Sequence, residues 1–140
     1  MAIHLFEEDI KIKITKKLAI KKWLKESIEK EGYKLSELNY VFCSDKYLLN
    51  MNVSYLNHDT LTDIITFDNS EEDGIIVGDI FISVDRVKEN AVKFKVDFID
   101  ELNRVMVHGA LHLLGYTDKK KADQEKMRER ENYYLKRRKF

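Results

Sequence analysis

Between Phe98 and Leu114 the chain is apolar in almost every direction around a helix. Phe98, Ile99, Leu102, Val105, Met106, Val107, Ala110, Leu111, Leu113 and Leu114 leave only a narrow polar line through Glu101, Arg104, His108 and His112. A surface helix needs one apolar stripe, whereas a helix apolar nearly all round must be covered on several sides. This segment is therefore expected at the centre of the molecule, with a single line of polar side chains running along it. Asp97 is placed to cap its start. Gly109, inside the run, costs roughly 1 kcal/mol relative to alanine in a helix, which implies another element packed close against the backbone there.

His108 and His112 are four residues apart, so they lie one above the other on one helix face and both imidazoles can reach one point in space. Gly115 follows where a glycine can take the left-handed conformation that ends a helix and turns the chain back. Asp118, three residues on, can then return to the same point. Two histidines and a carboxylate make three protein ligands for a divalent ion and leave a fourth position for water or substrate, the arrangement of a catalytic rather than a structural zinc site. Asp118 is the least constrained of the three, because an aspartate before a lysine run is also ordinary on a surface.

The remaining segments supply the cover. Ala2 to Phe6 and Leu38 to Cys43 read as strands, and so do the stretch running into Phe67 and Ile75 to Ser83, the last two able to form a hairpin across the acidic loop Asn69 to Gly74. Gly78 inside a strand implies close backbone approach or a bulge. Thr15 to Glu31 reads as a helix with Leu18, Ile20, Trp23, Leu24, Ser27 and Ile28 inward and Gly32 as its stop. A second helix is expected from Ser44 or Asp45 to about Tyr55, and a third from Ser83 or Asp85 through Val87, Ala91, Val92 and Phe94. Asp123 to Phe140 reads as a charged helix with Met127, Tyr134 and Leu135 inward. The polar cluster holding His58 and Asp63, at the mouth of a strand, is a place for substrate contacts or for groups that orient metal ligands, and it is also what ordinary turns are made of.

A chain of 140 residues with 44% hydrophobic content is expected to form a single domain across residues 1–140. One cysteine, Cys43, excludes an internal disulfide and suits a reducing compartment. No apolar run approaches the length that spans a bilayer, and the first residues are acidic where a secretion signal is basic, so a cytoplasmic protein without membrane contact is expected. Net charge is zero but unevenly spread. Residues 1–35 carry nine lysines against six acids, residues 36–118 six bases against fifteen acids, and residues 119–140 ten bases against four. An acidic middle suits a cation, and basic ends can hold a polyanion beside it, although solvated helix faces give the same pattern.

Three motifs in order, Thr62-Asp63-Ile-Ile-Thr-Phe67, Gly78-Asp79-Ile-Phe-Ile-Ser83 and His108-Gly-Ala-Leu-His112-Leu-Leu-Gly115-Tyr, resemble those of the YbeY family of metal-dependent endoribonucleases, also called rRNA maturation factors. The similarity runs through most of the chain. It implies an α+β domain with a central mixed sheet of about four strands packed with helices and a zincin-like metal-binding helix. It also implies a zinc ion, one per chain, and a single-strand-specific endoribonuclease acting in maturation of the 3′ end of small-subunit ribosomal RNA and in ribosome quality control. Single-stranded RNA, ribosomal RNA and the small subunit or its proteins are then the partners, with a monomer expected. Two departures bear on this. The family motif ends Gly-Tyr-Asp-His, and its last histidine falls on Asp118, an anionic ligand that opens the site to harder ions such as Mn²⁺ beside Zn²⁺. The family's Tyr-Arg pair would place an arginine at Leu56, so His58 or Arg104 has to act in its stead or cleavage is weaker.

The residues themselves limit the chemistry. The spacing is that of the His-Glu-x-x-His helix, yet Gly109 stands where a peptidase carries its general base. Phosphodiester cleavage assisted by the metal is the expectation, with water or the RNA 2′-hydroxyl as nucleophile. Glu101 is then expected to orient a ligand or a proton, Arg104 and His58 to assist, and Asp63 and Asp79 to serve behind the ligands or in the framework. Lys119, Lys120, Lys121, Arg137 and Arg138 are expected to hold phosphates. The competing reading is a metal-binding ribosome assembly factor with little nuclease activity, which Leu56 favours.

Overall fold

Polar residues along a strand break the alternation that sequence reading depends on, but not the backbone hydrogen bonds that form a sheet. The computed structural model describes residues 2–56 and 62–140. In chain order the elements are β1 (Ile3–Glu7), α1 (Lys17–Lys30), β2 (Lys34–Cys43), α2 (Asp45–Leu56), β3 (Ile64–Asp68), β4 (Ile75–Ser83), α3 (Val84–Phe94), α4 (Phe98–Leu113) and α5 (Lys121–Lys136). The fold is α+β, and the four strands form one mixed sheet in the order β1-β2-β4-β3. β2 is parallel to both β1 and β4, while β3 and β4 pair antiparallel as a hairpin, Ile65 facing Phe81 and Phe67 facing Asp79. The parallel β1–β2 pair needs a crossover, and α1 supplies it. β2 begins at Lys34, four residues before its apolar run, because Lys34 and Leu35 pair with Ile75 and Ile76 across a register shift before Glu37.

α4 occupies the centre. Leu102, Val105, Met106, Val107, Ala110 and Leu111 are all buried, in one core cluster with Ile3, Leu38, Tyr40, Ile80 and Ile82 from the sheet. Two glycines set how closely the helix lies on the strands. A Cβ at Gly78 would stand 2.8 Å from Leu113 Cδ1 and 2.9 Å from the Phe67 carbonyl oxygen. One at Gly109 would stand 2.7 Å from Ile64 Cδ1 and 3.0 Å from two atoms of Ile80. The close packing that Gly109 implied is thus contact with β3 and β4, and Gly78 is its counterpart on the sheet. Two buried hydrogen bonds tie neighbours to this layer: Tyr40 Oη donates to the Met106 carbonyl at 2.7 Å, and Trp23 Nε1 donates to the Tyr134 carbonyl at 2.8 Å.

Some side chains lie elsewhere than expected. Leu18 is 73% exposed, because α1 meets its neighbours further along, through Ile20, Trp23, Leu24, Ser27 and Ile28. Val92 is 80% exposed, one position round the helix from the buried line Val84, Val87 and Ala91. α5 buries Glu131 between Met127 and Tyr134, while Leu135 is only half-buried. Asn103 is buried within α4, and neither its amide nitrogen nor its oxygen has a protein hydrogen-bond partner. Cys43 is buried as well, and burial, with Asp9 nearby, pushes its thiol up to about 12. Among the described residues no helix is long and apolar enough to cross a membrane.

Gly78→Ala should destabilise the protein by about 1–3 kcal/mol, the usual range for overpacking, because one of the atoms it meets is a backbone carbonyl. Gly109→Ala should cost less: it meets the ends of two isoleucines, and alanine recovers up to about 1 kcal/mol of helix propensity. Urea unfolding of the two variants beside the parent checks the order; Gly109→Ala as the costlier change would mean that α4 does not lie on the hairpin in this way.

Candidate metal centre

The end of α4 is built by its glycine. Gly115 has φ +101°, a conformation that a residue with a side chain rarely adopts. The Tyr116 amide donates to the Leu111 carbonyl at 3.1 Å and the Gly115 amide to the His112 carbonyl at 3.1 Å, the pair of bonds that defines a Schellman cap. The chain is thereby reversed, and Asp118 Oδ2 comes to 3.4 Å from His108 Nε2 and 3.5 Å from His112 Nε2. The two Nε2 atoms are 2.9 Å apart. All three side chains are half-buried, and His108, His112 and Asp118 form a group that could hold a metal ion.

The donor chemistry of the group fits an ion. His112 Nδ1 is 3.0 Å from the Tyr116 carbonyl oxygen; a carbonyl only accepts, so Nδ1 carries the hydrogen and Nε2 keeps a lone pair facing its neighbours. Burial, and the charge of His108 beside it, lower the His112 pKa and hold the ring neutral. His108 Nδ1 lies 2.6 Å from Glu131 Oε2, so this ring too is oriented through its far nitrogen, leaving Nε2 to point at the group. Burial works against the His108 imidazolium, but the hydrogen bond and charge of Glu131, with Asp118 and Asp63 behind them, outweigh it and raise the pKa. Nitrogen and carboxylate oxygen ligands bind zinc at about 2.0–2.2 Å in tetrahedral sites, which puts ligand atoms roughly 3.3–3.5 Å apart. The two contacts to Asp118 already have that spacing.

Glu131 was not foreseen from the sequence, although a carboxylate at four and three residues from Met127 and Tyr134 on an otherwise apolar stripe was the available signal. It is 5% exposed. Its Oε1 accepts from Arg104 Nη1 at 2.8 Å while Oε2 faces His108. Burial would raise its pKa, but the bonds from His108 and Arg104 prevail and lower it. Tyr116 is fixed in turn from α1, its hydroxyl donating to Glu31 Oε1 at 2.7 Å, and Arg130 Nη2 and the Tyr134 hydroxyl also donate to Glu31. Burial works to raise the Glu31 pKa, but these three donors lower it. Each imidazole is thus held by a group that is itself held.

The other expected residues are distributed unequally. Glu101, Arg104, Asp63 and Lys121 line the same groove as His108 and Asp118. Burial raises the carboxyl pKa of both Glu101 and Asp63. Asp79 lies elsewhere: it alternates with Gly78 onto the opposite sheet face, accepts from Asn39 Nδ2 at 3.0 Å and Asn69 Nδ2 at 3.1 Å, and borders a separate hollow with Tyr47, Met51 and Phe81. Lys119 and Lys120 are exposed beside the site. Arg137 lies 5.5 Å from the Tyr133 ring centre, and Arg138 donates to Asp100 Oδ1 at 3.0 Å. His58 falls outside the described residues.

Glu131→Gln keeps the shape of the side chain and removes its charge, so it should weaken metal binding by about 10- to 100-fold, the usual effect of losing a carboxylate behind a metal-bound histidine. Competition with a chromophoric chelator measures this, and an unchanged affinity would mean that Glu131 serves only the fold.

Comparison with known proteins gives the family. The chain is 52% identical over 138 residues to an endoribonuclease YbeY from Cytophaga hutchinsonii, covering 99% of this chain and 96% of that protein. It is 50% identical over 131 residues to the endoribonuclease YbeY of Flavobacterium psychrophilum, covering 94% and 93% of the two chains. The solution structure of TM1509 from Thermotoga maritima superposes with a TM-score of 0.65 at 29% identity, over 96% of this chain and 87% of that one. The family model described as endoribonuclease YbeY matches residues 3–139, and the chain belongs to that family.

Proposed function

We propose that the chain is a metal-dependent endoribonuclease that cuts single-stranded RNA in maturation of the 3′ end of small-subunit ribosomal RNA and in ribosome quality control. In this reading it acts in the cytoplasm as a monomeric single domain, with zinc held by His108, His112 and Asp118. The observation that carries it is the convergence of those three side chains at 2.9–3.5 Å with both imidazoles fixed from behind. Membership in a family whose curated relatives are named endoribonucleases supplies the substrate class.

When bound, a divalent ion supplies an activated water and a Lewis acid for a phosphoryl oxygen. The protein's own groups do the rest. Arg104 is held by Glu131 and by Asn132 Oδ1 at 2.8 Å, which fixes its guanidinium beside the groove where a phosphate would lie. Glu101, 5% exposed and one turn before Arg104, has no ion pair among the described residues. Burial raises its pKa, so its carboxyl retains a proton closer to neutrality than an ordinary glutamate and can exchange one with a phosphate or leaving oxygen. Gly109 leaves no place for a peptidase's glutamate, since even a methyl group there meets Ile64 and Ile80. The assembly-factor reading rests on Leu56, where the family arginine is missing.

Purified protein should cut a labelled single-stranded RNA, and both a chelator and His112→Ala should abolish cutting. If one ion per chain is found and no RNA is cut, the assembly-factor reading replaces this one. Glu101→Gln should lower kcat by about 100-fold or more with metal content unchanged, within the usual range for a lost acid–base group; equal kcat values would remove Glu101 from the reaction.

A further inference from the structure

The groove beside the metal ligands encloses about 800 Å³, far more than an ion and a phosphate need. It runs back along α4 from His108 to Glu101, seven residues or about 10 Å at 1.5 Å per residue. Asn90 and Phe94 of α3 also line it. Phe94 is 51% exposed, the last residue of its helix, and Lys95 after it takes a left-handed φ of +57° that turns the chain away. An aromatic ring on the wall of a polar groove is therefore held half in solvent. Lys93 Nζ lies 5.6 Å from the ring centre, a cation that favours an electron-rich aromatic surface beside it.

Charge alone does not explain how a polyanion enters. Among the lining residues six carboxyl groups stand against three cations, Arg104, Lys121 and Arg128, so even a divalent ion gives the groove no excess of positive charge. Attraction in the groove has to include a term independent of charge, and base stacking on an aromatic ring is the one available to every nucleotide. We infer that Phe94 is a base-stacking subsite, taking an unpaired nucleobase that flanks the phosphate at the metal, with the Asn90 amide beside it able to donate to or accept from the base edge. The subsite rests on the nuclease reading and deepens it. A base within a duplex is stacked on both faces and paired along one edge, and cannot lie on the ring without being extruded, so the subsite selects single strands.

The test uses a single-stranded RNA 12-mer carrying 2-aminopurine, bound to chelator-treated protein so that it is not cut, and the same 12-mer as substrate for metal-loaded protein. Binding to the parent should quench the fluorophore. Phe94→Ala should lose the quench, bind about tenfold more weakly and raise KM about tenfold with kcat within a factor of two, while Phe94→Tyr should restore all three. An abasic 12-mer should bind parent and Phe94→Ala equally. Unchanged affinity in Phe94→Ala, or an equal loss on the abasic strand, overturns the subsite while leaving the nuclease intact. A parent protein that neither binds nor cuts RNA overturns the nuclease reading, and the subsite with it.

Discussion

Everything else in the molecule answers to the burial of α4. A helix with apolar side chains on nearly all faces is stable only when covered, and the cover comes from the sheet on one side and from α1, α3 and α5 around it. Close approach to the sheet is possible because Gly109 and Gly78 meet it without side chains. The cost of this arrangement falls on the polar line that α4 carries into the interior, since buried polar groups are expensive unless they are hydrogen-bonded. α5 offsets that cost. Glu131 receives Arg104 with one oxygen and His108 with the other, so the pairing that stabilises the core also orients a ligand.

The consequence is that two histidines on one helix face have opposite acid–base character. Against its own burial, the carboxylate of Glu131 pushes His108 towards the imidazolium; burial and the charge of His108 push His112 towards the neutral ring. A metal requires both to be neutral. Loading the site with an ion would therefore displace a proton from His108 more often than an ordinary imidazole requires, and affinity would rise with pH through the raised range of that residue. His112 loses its proton more readily, and the Tyr116 carbonyl keeps the ring hydrogen on Nδ1 and the lone pair on Nε2. Glu31 extends the same logic outward, since it fixes Tyr116 through the ring while Tyr116 fixes His112 through the backbone.

What could be read from the sequence follows from the range of the interactions concerned. His108, His112 and Gly115 obey helix geometry, which is local, and so they were legible together with the return of Asp118. The four strands were legible as apolar runs, except the start of β2, where Lys34 and Leu35 are held by backbone pairing. Glu131 and Glu31 were not, because each acts across 23 and 85 residues respectively through contacts that only the packing of α5 and α1 creates. Asp79 adjoins a glycine that packs against α4, and the period of two that buries Gly78 is the same one that sends Asp79 to the other face.

The uneven charge along the chain takes on a different meaning once partners are known. Arg130 and Arg138, two of the ten bases after residue 118, are paired with Glu31 and Asp100, and Arg104 of α4 with Glu131, so part of the apparent excess in the C-terminal segment maintains the fold. An arginine paired with a carboxylate is held in one place and brings less net charge to a phosphate, whereas exposed lysines such as Lys119 and Lys120 keep their charge in solvent. Capture of a polyanion would then fall to flexible lysines at the rim, whose contacts weaken steeply with salt. Binding near the metal would depend on fixed geometry: one guanidinium held by Glu131, one aromatic ring on the groove wall, and the ion itself. Such a division would let a strand be gathered loosely outside and admitted to the site only where its shape fits.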